Sequence, residues 1–134
     1  MIEYHLDADI AIYILNRRAP IVLARFAAAD STLLAISTIA ISELEFGAAH
    51  SSRPLENRAR LQAFLQPLHI ETFTQAAATA YGRLRHDLTR RGGLIGEMDM
   101  LIAAVALANN ATLITNNVRE FARVPSLRVE NWAI

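Results

Sequence analysis

The chain has 134 residues, a mass of 14.8 kDa and a mean hydropathy of +0.24, with 53% apolar and 19% charged residues; this excludes a disordered chain and supplies one core, so residues 1–134 are expected to form a single domain. Thirteen basic residues balance thirteen acidic ones, which excludes broad non-specific wrapping of nucleic acid. All the basic residues are arginine and there is no cysteine, so a Walker A or Schiff-base lysine, a disulfide scaffold, a thiolate zinc site and a thiol nucleophile are excluded too.

The chain opens Met1-Ile2-Glu3-Tyr4-His5, with no basic start and no long apolar stretch, so no targeting segment is expected. Residues 2–6 are a short apolar run ending at Asp7, the pattern of a buried strand. Helices are predicted over 8–16, stopped ahead of Pro20, and over the alanine-rich stretch 21–29. Residues 33–36 are the second strand. Ser37 or Thr38 caps a helix to about Ala49, with Ile39, Leu44 and Ala48 on its apolar face. Pro54 suits the first turn of a helix over 54–65, and 68–70 form the third strand. Thr74 caps a long helix to about Arg91, ended by Gly92-Gly93. Gly96 precedes a helix to about Asn109, where Asn109-Asn110 offers a left-handed exit; 112–115 are the fourth strand and 127–129 a short edge strand. No run reaches the roughly 18 apolar residues of a bilayer span, so no membrane association is expected and the cytoplasm is the expected compartment.

Strands alternating with helices imply an α/β fold: a short parallel sheet with helices on both faces, three layers in all. Ligands of such folds bind beyond the carboxyl ends of the strands. Acidic and amide residues collect at that edge from four places in the chain. Asp7 follows the first strand and Asp9 comes two residues later. Glu43 lies about one and a half turns into the helix after the second strand. Asp99 is in the first turn after Gly96, and Asn116, Asn117 and Glu120 follow the fourth strand. Each has an ordinary alternative: Asp7 as a helix cap, Glu43 as a solvated side chain, Asp99 as a partner of the helix dipole, Asn116-Asn117 as a plain turn. Their coincidence at one edge favours a site.

Two carboxylates about 4 Å apart repel by on the order of 4 kcal/mol at an effective dielectric near 20. Converging acids therefore retain protons or hold a divalent cation. The four histidines (His5, His50, His69, His86) lack zinc-site spacing. An oxygen-only site that leaves room for water and phosphate suits Mg²⁺, with Mn²⁺ as a substitute, and points to metal-assisted phosphodiester hydrolysis by one ion or two.

These residues carry a resemblance. Tyr4-His5-Leu6-Asp7-Ala8-Asp9-Ile10 resembles the Leu-Asp-Thr-Asn-Ile opening of PIN-domain ribonucleases of the VapC toxin type. Ile36-Ser37-Thr38 through Ser42-Glu43-Leu44 and Phe46-Gly47-Ala48 is similar to their second acidic motif, and Ile95-Gly96-Glu97-Met98-Asp99 through Ile102-Ala103-Ala104 to their third. Leu113-Ile114-Thr115-Asn116-Asn117-Val118-Arg119-Glu120-Phe121 resembles the fourth, and Val129-Glu130-Asn131-Trp132 the usual ending. The likeness runs nearly end to end, from Ile2 to Trp132. It implies a three-layer PIN-like domain and a Mg²⁺-dependent endoribonuclease toxin of a type II toxin–antitoxin pair, held inactive by a cognate VapB-type antitoxin. Operator DNA would be met only through that antitoxin. The Thr-Asn-Asn-x-Arg-Glu-Phe motif resembles that of members that cut initiator tRNA in its anticodon region. By position, Asp7, Glu43 and Asp99 would be the metal-site acids, Asn117 stands where many members have a fourth acid, and Glu120 would complete the shell through water.

One place departs from the pattern: Ala8 replaces a hydroxyl residue and Asp9 an asparagine, removing a hydrogen bond beside Asp7 and adding a negative charge. Arg83, Arg85, Arg90 and Arg91, with Arg119 and Arg123 flanking the fourth motif, are candidates for a phosphate rim or an ordinary solvated face. Tyr13 and Tyr81 are candidates for base stacking or for the core. The apolar helices 8–16 and 21–29, with Phe46 and Leu55, suggest a groove for an amphipathic antitoxin helix, and another face a homodimer. Two rivals remain: a catalytically weakened PIN fold serving as a binding module, and an Asp-nucleophile phosphatase opened by Asp7-Ala8-Asp9, which the missing lysine and Ala11 disfavour.

Overall fold

The structure is a computed structural model that describes residues 1–134. A five-stranded, all-parallel sheet runs in the order β3-β2-β1-β4-β5, with helices on both faces. The strands are β1 (Tyr4–Leu6), β2 (Leu34–Ser37), β3 (His69–Glu71), β4 (Thr112–Ile114) and β5 (Val129–Glu130). Between them lie α1 (Ala8–Leu15), α2 (Pro20–Ala28), α3 (Thr38–Ala49), α4 (Pro54–Leu65), α5 (Gln75–Arg91), α6 (Glu97–Ala108) and α7 (Val118–Phe121).

Local chemistry sets most boundaries. Ser37 Oγ accepts from Ala40 N (3.1 Å) at the start of α3, and Thr74 Oγ1 accepts from Ala77 N (3.2 Å) at the start of α5. Gly92, at φ +68°, ends α5 in the left-handed region, and Asn110 (φ +52°) takes the same conformation just beyond α6. Pro20 and Pro54 each open a helix, where the missing N–H costs nothing. Pro20 therefore starts α2, one residue before the expected boundary. Two short elements were not anticipated: a 3₁₀ turn (Ser31–Leu33) leading into β2, and α7 where a plain turn was one expectation. The edge strand pairs at Val129–Glu130 and not at 127–129, because Leu113 and Ile114 set its register.

The core joins both faces of the sheet, with Leu6, Ile36 and Leu113 packed among Ile10, Val22, Leu61, Leu88, Ile102 and Phe121. Full burial of such side chains contributes about 1.5–3 kcal/mol each. Helix α6 is buried continuously from Ile102 to Ala106, which makes it a rigid mount for Asp99 in its first turn. No helix is long and apolar enough to cross a membrane.

The strand order reverses around β1. The chain moves from β1 outward to β2 and β3, then returns to the other side of β1 for β4 and β5. Splayed connections leave a crevice at such a switch point, at the carboxyl ends of the central strands. Asp7 leaves β1 there and Thr115 leaves β4 beside it. Asp7 N still donates to Ile114 O (2.9 Å), so the two strand ends are tied together.

Candidate active site

Asp7 caps α1: its Oδ1 accepts from Ala8 N (2.8 Å), and its Oδ2 accepts from the hydroxyl of Thr115 (2.7 Å). It is only 5% exposed. Burial, with the charge of Asp9 and more weakly that of Asp99, pushes its pKa up to about 7 against the pull of those two hydrogen bonds. The cap therefore uses one carboxylate oxygen, and the other is turned to Thr115 at the crevice.

Asp9 turns across the crevice to the segment after β4. Its Oδ2 accepts from Asn116 N (3.0 Å), and the Thr115 hydroxyl is 3.3 Å away. Burial raises its pKa, opposed by the bonds from Asn116, Ile10 and Thr115. Glu43 is half-buried on α3, its pKa raised by burial and by the charge of Asp9. Asp99 sits in the first turn of α6, where burial and then the charges of Glu120, Glu43 and Asp9 lift it to about 6. The helix N-terminus alone would favour the ionised form, so the neighbouring acids and burial outweigh it.

Glu120 behaves oppositely. Its Oε1 accepts from Gly96 N (2.8 Å) and its Oε2 from Asn117 Nδ2 (2.7 Å), and these bonds hold its pKa below the usual carboxylate range. Asn117 N in turn donates to Thr115 Oγ1 (2.9 Å). Space beside Gly96 is tight. A Cβ there would lie 3.3 Å from Asp99 Oδ2 and 3.7 Å from Glu120 Oε1, inside the gap the two acids share.

Asp7, Asp9, Glu43, Asp99 and Asn117 line one open cleft of about 500 Å³, with Ser42, Phe46 and Met98 at its walls. Glu120 lies just behind Asp99. The residues expected at the site are thus gathered at one edge of the sheet, although no three acids are drawn close enough to form a ready-made cation cage. The sequence places Thr115 at the end of a strand and at the head of the fourth motif but assigns it no bond. Its signal was a hydroxyl at the carboxyl end of β4, and it supplies to Asp7 the hydrogen bond that Ala8 cannot.

Tyr13 and Tyr81 are both half-buried against the core and both engaged: Tyr13 Oη accepts from Asn116 Nδ2 (3.1 Å) and Tyr81 Oη from Arg85 (2.9 Å). Trp132 is buried, with its ring 6.3 Å from that of Tyr4 and its Nε1 donating to Glu130 (3.1 Å). Beside the acidic cleft, a groove of about 300 Å³ runs between α1, α3 and α4. Ile12 and Glu43 border both spaces, and Phe46 (68% exposed) and Leu55 (87%) stand uncovered nearby.

The sequence profile of the PIN domain matches residues 4–127. The chain belongs to the PIN-domain family. It is 39% identical to "Ribonuclease VapC2" of Rickettsia felis over 130 residues, 96% of this chain and 97% of that protein. It is 34% identical to "tRNA(fMet)-specific endonuclease VapC" of Shigella flexneri over 133 residues, 99% of this chain and all of that one. Among solved structures, the PIN domain superposes on DNA-bound VapBC from Salmonella typhimurium with a TM-score of 0.93 at 32% identity, covering 98% of this chain and 99% of that chain. On VapBC2 from Rickettsia felis, bound to a promoter DNA fragment, the TM-score is 0.88 at 39% identity with the same coverage. The three-layer α/β/α architecture and the VapC-type resemblance of the sequence both stand on these matches.

Proposed function

We propose that this PIN domain, residues 1–134 acting as one unit, is the ribonuclease toxin of a VapBC-type pair: a Mg²⁺-dependent endoribonuclease that hydrolyses phosphodiester bonds, with tRNA, and initiator tRNA in its anticodon region first, as substrate. One observation carries the reading. Asp7, Glu43 and Asp99, from three separate elements, face one cleft at the switch point, and all three have raised pKa values. Evolution of such a costly arrangement is understood if a cation offsets the charge in use.

The donor set fits a hard divalent ion: the acids offer only oxygen, and the cleft lining holds no thiolate or imidazole, its one sulfur being the thioether of Met98. Asp7, Glu43 and Asp99 would hold Mg²⁺, or Mn²⁺ in its place. When bound, such an ion activates water and neutralises charge on the phosphate. The chain's own residues do the rest. Thr115 holds Asp7 by its Oδ2, Asn117 and Gly96 hold Glu120 beside Asp99, and the buried α6 keeps Asp99 from drifting. Arg119 and Arg123 lie on and just after α7, next to Glu120, and supply positive charge for flanking phosphates.

The relatives support the partner reading. The VapBC complexes that superpose on this chain are toxin–antitoxin assemblies, and the groove bordered by Ile12 and Glu43 suits an amphipathic antitoxin helix whose cation reaches the acids. Operator DNA would be contacted only through that antitoxin, and a homodimer in the cytoplasm is the working assembly. The test is incubation of antitoxin-free protein and Mg²⁺ with a mixed tRNA pool. Cleavage that EDTA and Asp99→Asn abolish supports the nuclease. Metal binding without cleavage of any RNA favours a binding module. Enrichment of one tRNA among the new 5′ ends decides the substrate.

A further inference from the structure

We infer that Asn116, which lies outside the cleft, is a positioning residue for the acids within it; this rests on the nuclease reading above. Three of its polar groups are each taken by a different partner. The backbone N donates to Asp9 Oδ2 (3.0 Å), Nδ2 donates to Tyr13 Oη (3.1 Å), and Oδ1 accepts from Asn131 Nδ2 (3.2 Å). Asp9 and Tyr13 lie one turn apart on α1, so two bonds fasten the turn after β4 to one face of that helix. Asn131 is fixed in its own right. Its Oδ1 accepts from Ala133 N (2.8 Å), and Arg25 of α2 donates to its carbonyl (3.3 Å).

Asn116 is exposed and contributes nothing to the core, so packing does not explain this convergence. Its sequence neighbour does. Asn117 holds Glu120 (2.7 Å), and Glu120 holds Gly96 N (2.8 Å) at the entrance to α6. Polar contacts joined by the peptide bond between Asn116 and Asn117 therefore span the crevice from α1, which starts at Asp7, to α6, which carries Asp99: Tyr13 and Asp9 to Asn116, then Asn117 to Glu120 and Gly96. Asn116 is the link where α1 and the C-terminal segment grip that chain. It fixes where Asn117 and Glu120 stand, and so the separation of Asp7 from Asp99.

The experiment compares Asn116→Ala, Tyr13→Phe and the double variant with wild type. The readouts are kcat and KM on the cleaved RNA, and amide exchange at Gly96 and Asn117 in metal-free protein. Misplacement of reacting groups is costly, so Asn116→Ala should lower kcat by about tenfold and leave KM within about twofold. Tyr13→Phe, which removes a single oxygen and keeps the ring packed, should lower kcat in the same direction. The double variant should be no slower than Asn116→Ala, because that change already deletes the bond to Tyr13, along with the one from Asn131, and leaves only the backbone bond to Asp9. Exchange at Gly96 should quicken in both single variants while the thermal midpoint moves by no more than about 2–4 °C. Unchanged kcat, losses that multiply in the double variant, or unchanged exchange at Gly96 each overturn the inference. If wild type cleaves nothing, the nuclease reading fails, and the exchange data still decide whether Asn116 holds the crossing.

Discussion

The hydroxyl of Thr115, at the end of β4, donates to Oδ2 of Asp7, at the end of β1, across 2.7 Å. The pair spans 108 positions of sequence and sits where the strand order reverses. Both residues are buried, so the bond is not in competition with bulk water. It opposes burial and the charge of Asp9, which together still hold the Asp7 pKa at about 7. Thr115→Val keeps the shape and deletes the donor. The Asp7 pKa should rise further, and the acid limb of the pH–rate profile should move to higher pH. Loss of a hydrogen bond to a charged group, about 1.5–3 kcal/mol, corresponds to a fall in kcat of roughly 10- to 100-fold. Thr115→Ser should retain most of the activity; if it is as slow as valine, the hydroxyl is not the operative group.

The raised acids predict a pH dependence of stability with a definite sign. Asp7, near 7, and Asp99, near 6, bind protons more tightly in the folded chain than at their ordinary value of 3.8. Between about pH 4 and pH 7 the folded state therefore holds more protons than the unfolded one, and these groups lower stability as pH rises. In EDTA, their share of the thermal midpoint should fall from pH 5 to pH 8. Added Mg²⁺ should raise the midpoint more at pH 8 than at pH 5, because only ionised carboxylates bind it well. Equal Mg²⁺ stabilisation at both values would place the cation elsewhere.

Asp99→Asn separates stability from activity. It removes one charge from a cluster that Glu120, Glu43 and Asp9 make repulsive. Metal-free protein at pH 8 should melt at a higher temperature than wild type, while RNA cleavage falls by at least about 100-fold. A lower midpoint would mean that Asp99 is held by bonds that outweigh the repulsion.

Much of this was legible in the residues, for identifiable reasons. Ser37, Thr74, Gly92 and the two helix-opening prolines act through bonds to their own neighbours, and those boundaries fell within a residue or two of expectation. The acids could be placed because a parallel sheet sends every strand's carboxyl end to one edge. Asn116 falls at that edge by the same rule, but its bonds and those of Thr115 could not be assigned in this way. Their roles depend on which strands are neighbours and on Asp9 and Tyr13 turning towards β4, and local pattern carries neither fact. Ala8 removes a hydroxyl that could orient Asp7 or a scissile phosphate; Asp7 takes a hydroxyl bond instead from Thr115, after the neighbouring strand β4.

His5 gives the opposite pH trend. It is 2% exposed on β1 and neither ring nitrogen has a hydrogen-bond partner. Burial, helped by the charge of His69, lowers its pKa to about 4 from 6.5. Below about pH 6.5 the unfolded chain takes up a proton that the folded chain refuses, so this residue costs stability as pH falls towards 4. His5→Leu removes that term and two unsatisfied buried nitrogens. Urea denaturation should show a gain on the order of 1–3 kcal/mol at pH 7.5 and a larger one at pH 5. A loss at both values would show that the imidazole shape, and not its polarity, is what β1 requires.

Arg119 is exposed on α7 beside Glu120 and forms no ion pair, whereas Arg123 donates weakly to Leu94 O at 3.5 Å. A free guanidinium one position from a site acid is placed to meet a phosphate flanking the scissile bond. Phosphate contacts release counterions, and each contributes about 0.7 to the slope of log affinity against log salt for single-stranded RNA. Arg119→Ala should raise KM with little change in kcat, and flatten the salt dependence of KM by about one such increment. A variant that loses kcat at constant KM, with the salt slope unaltered, would put Arg119 in contact with the acids and not with the substrate backbone.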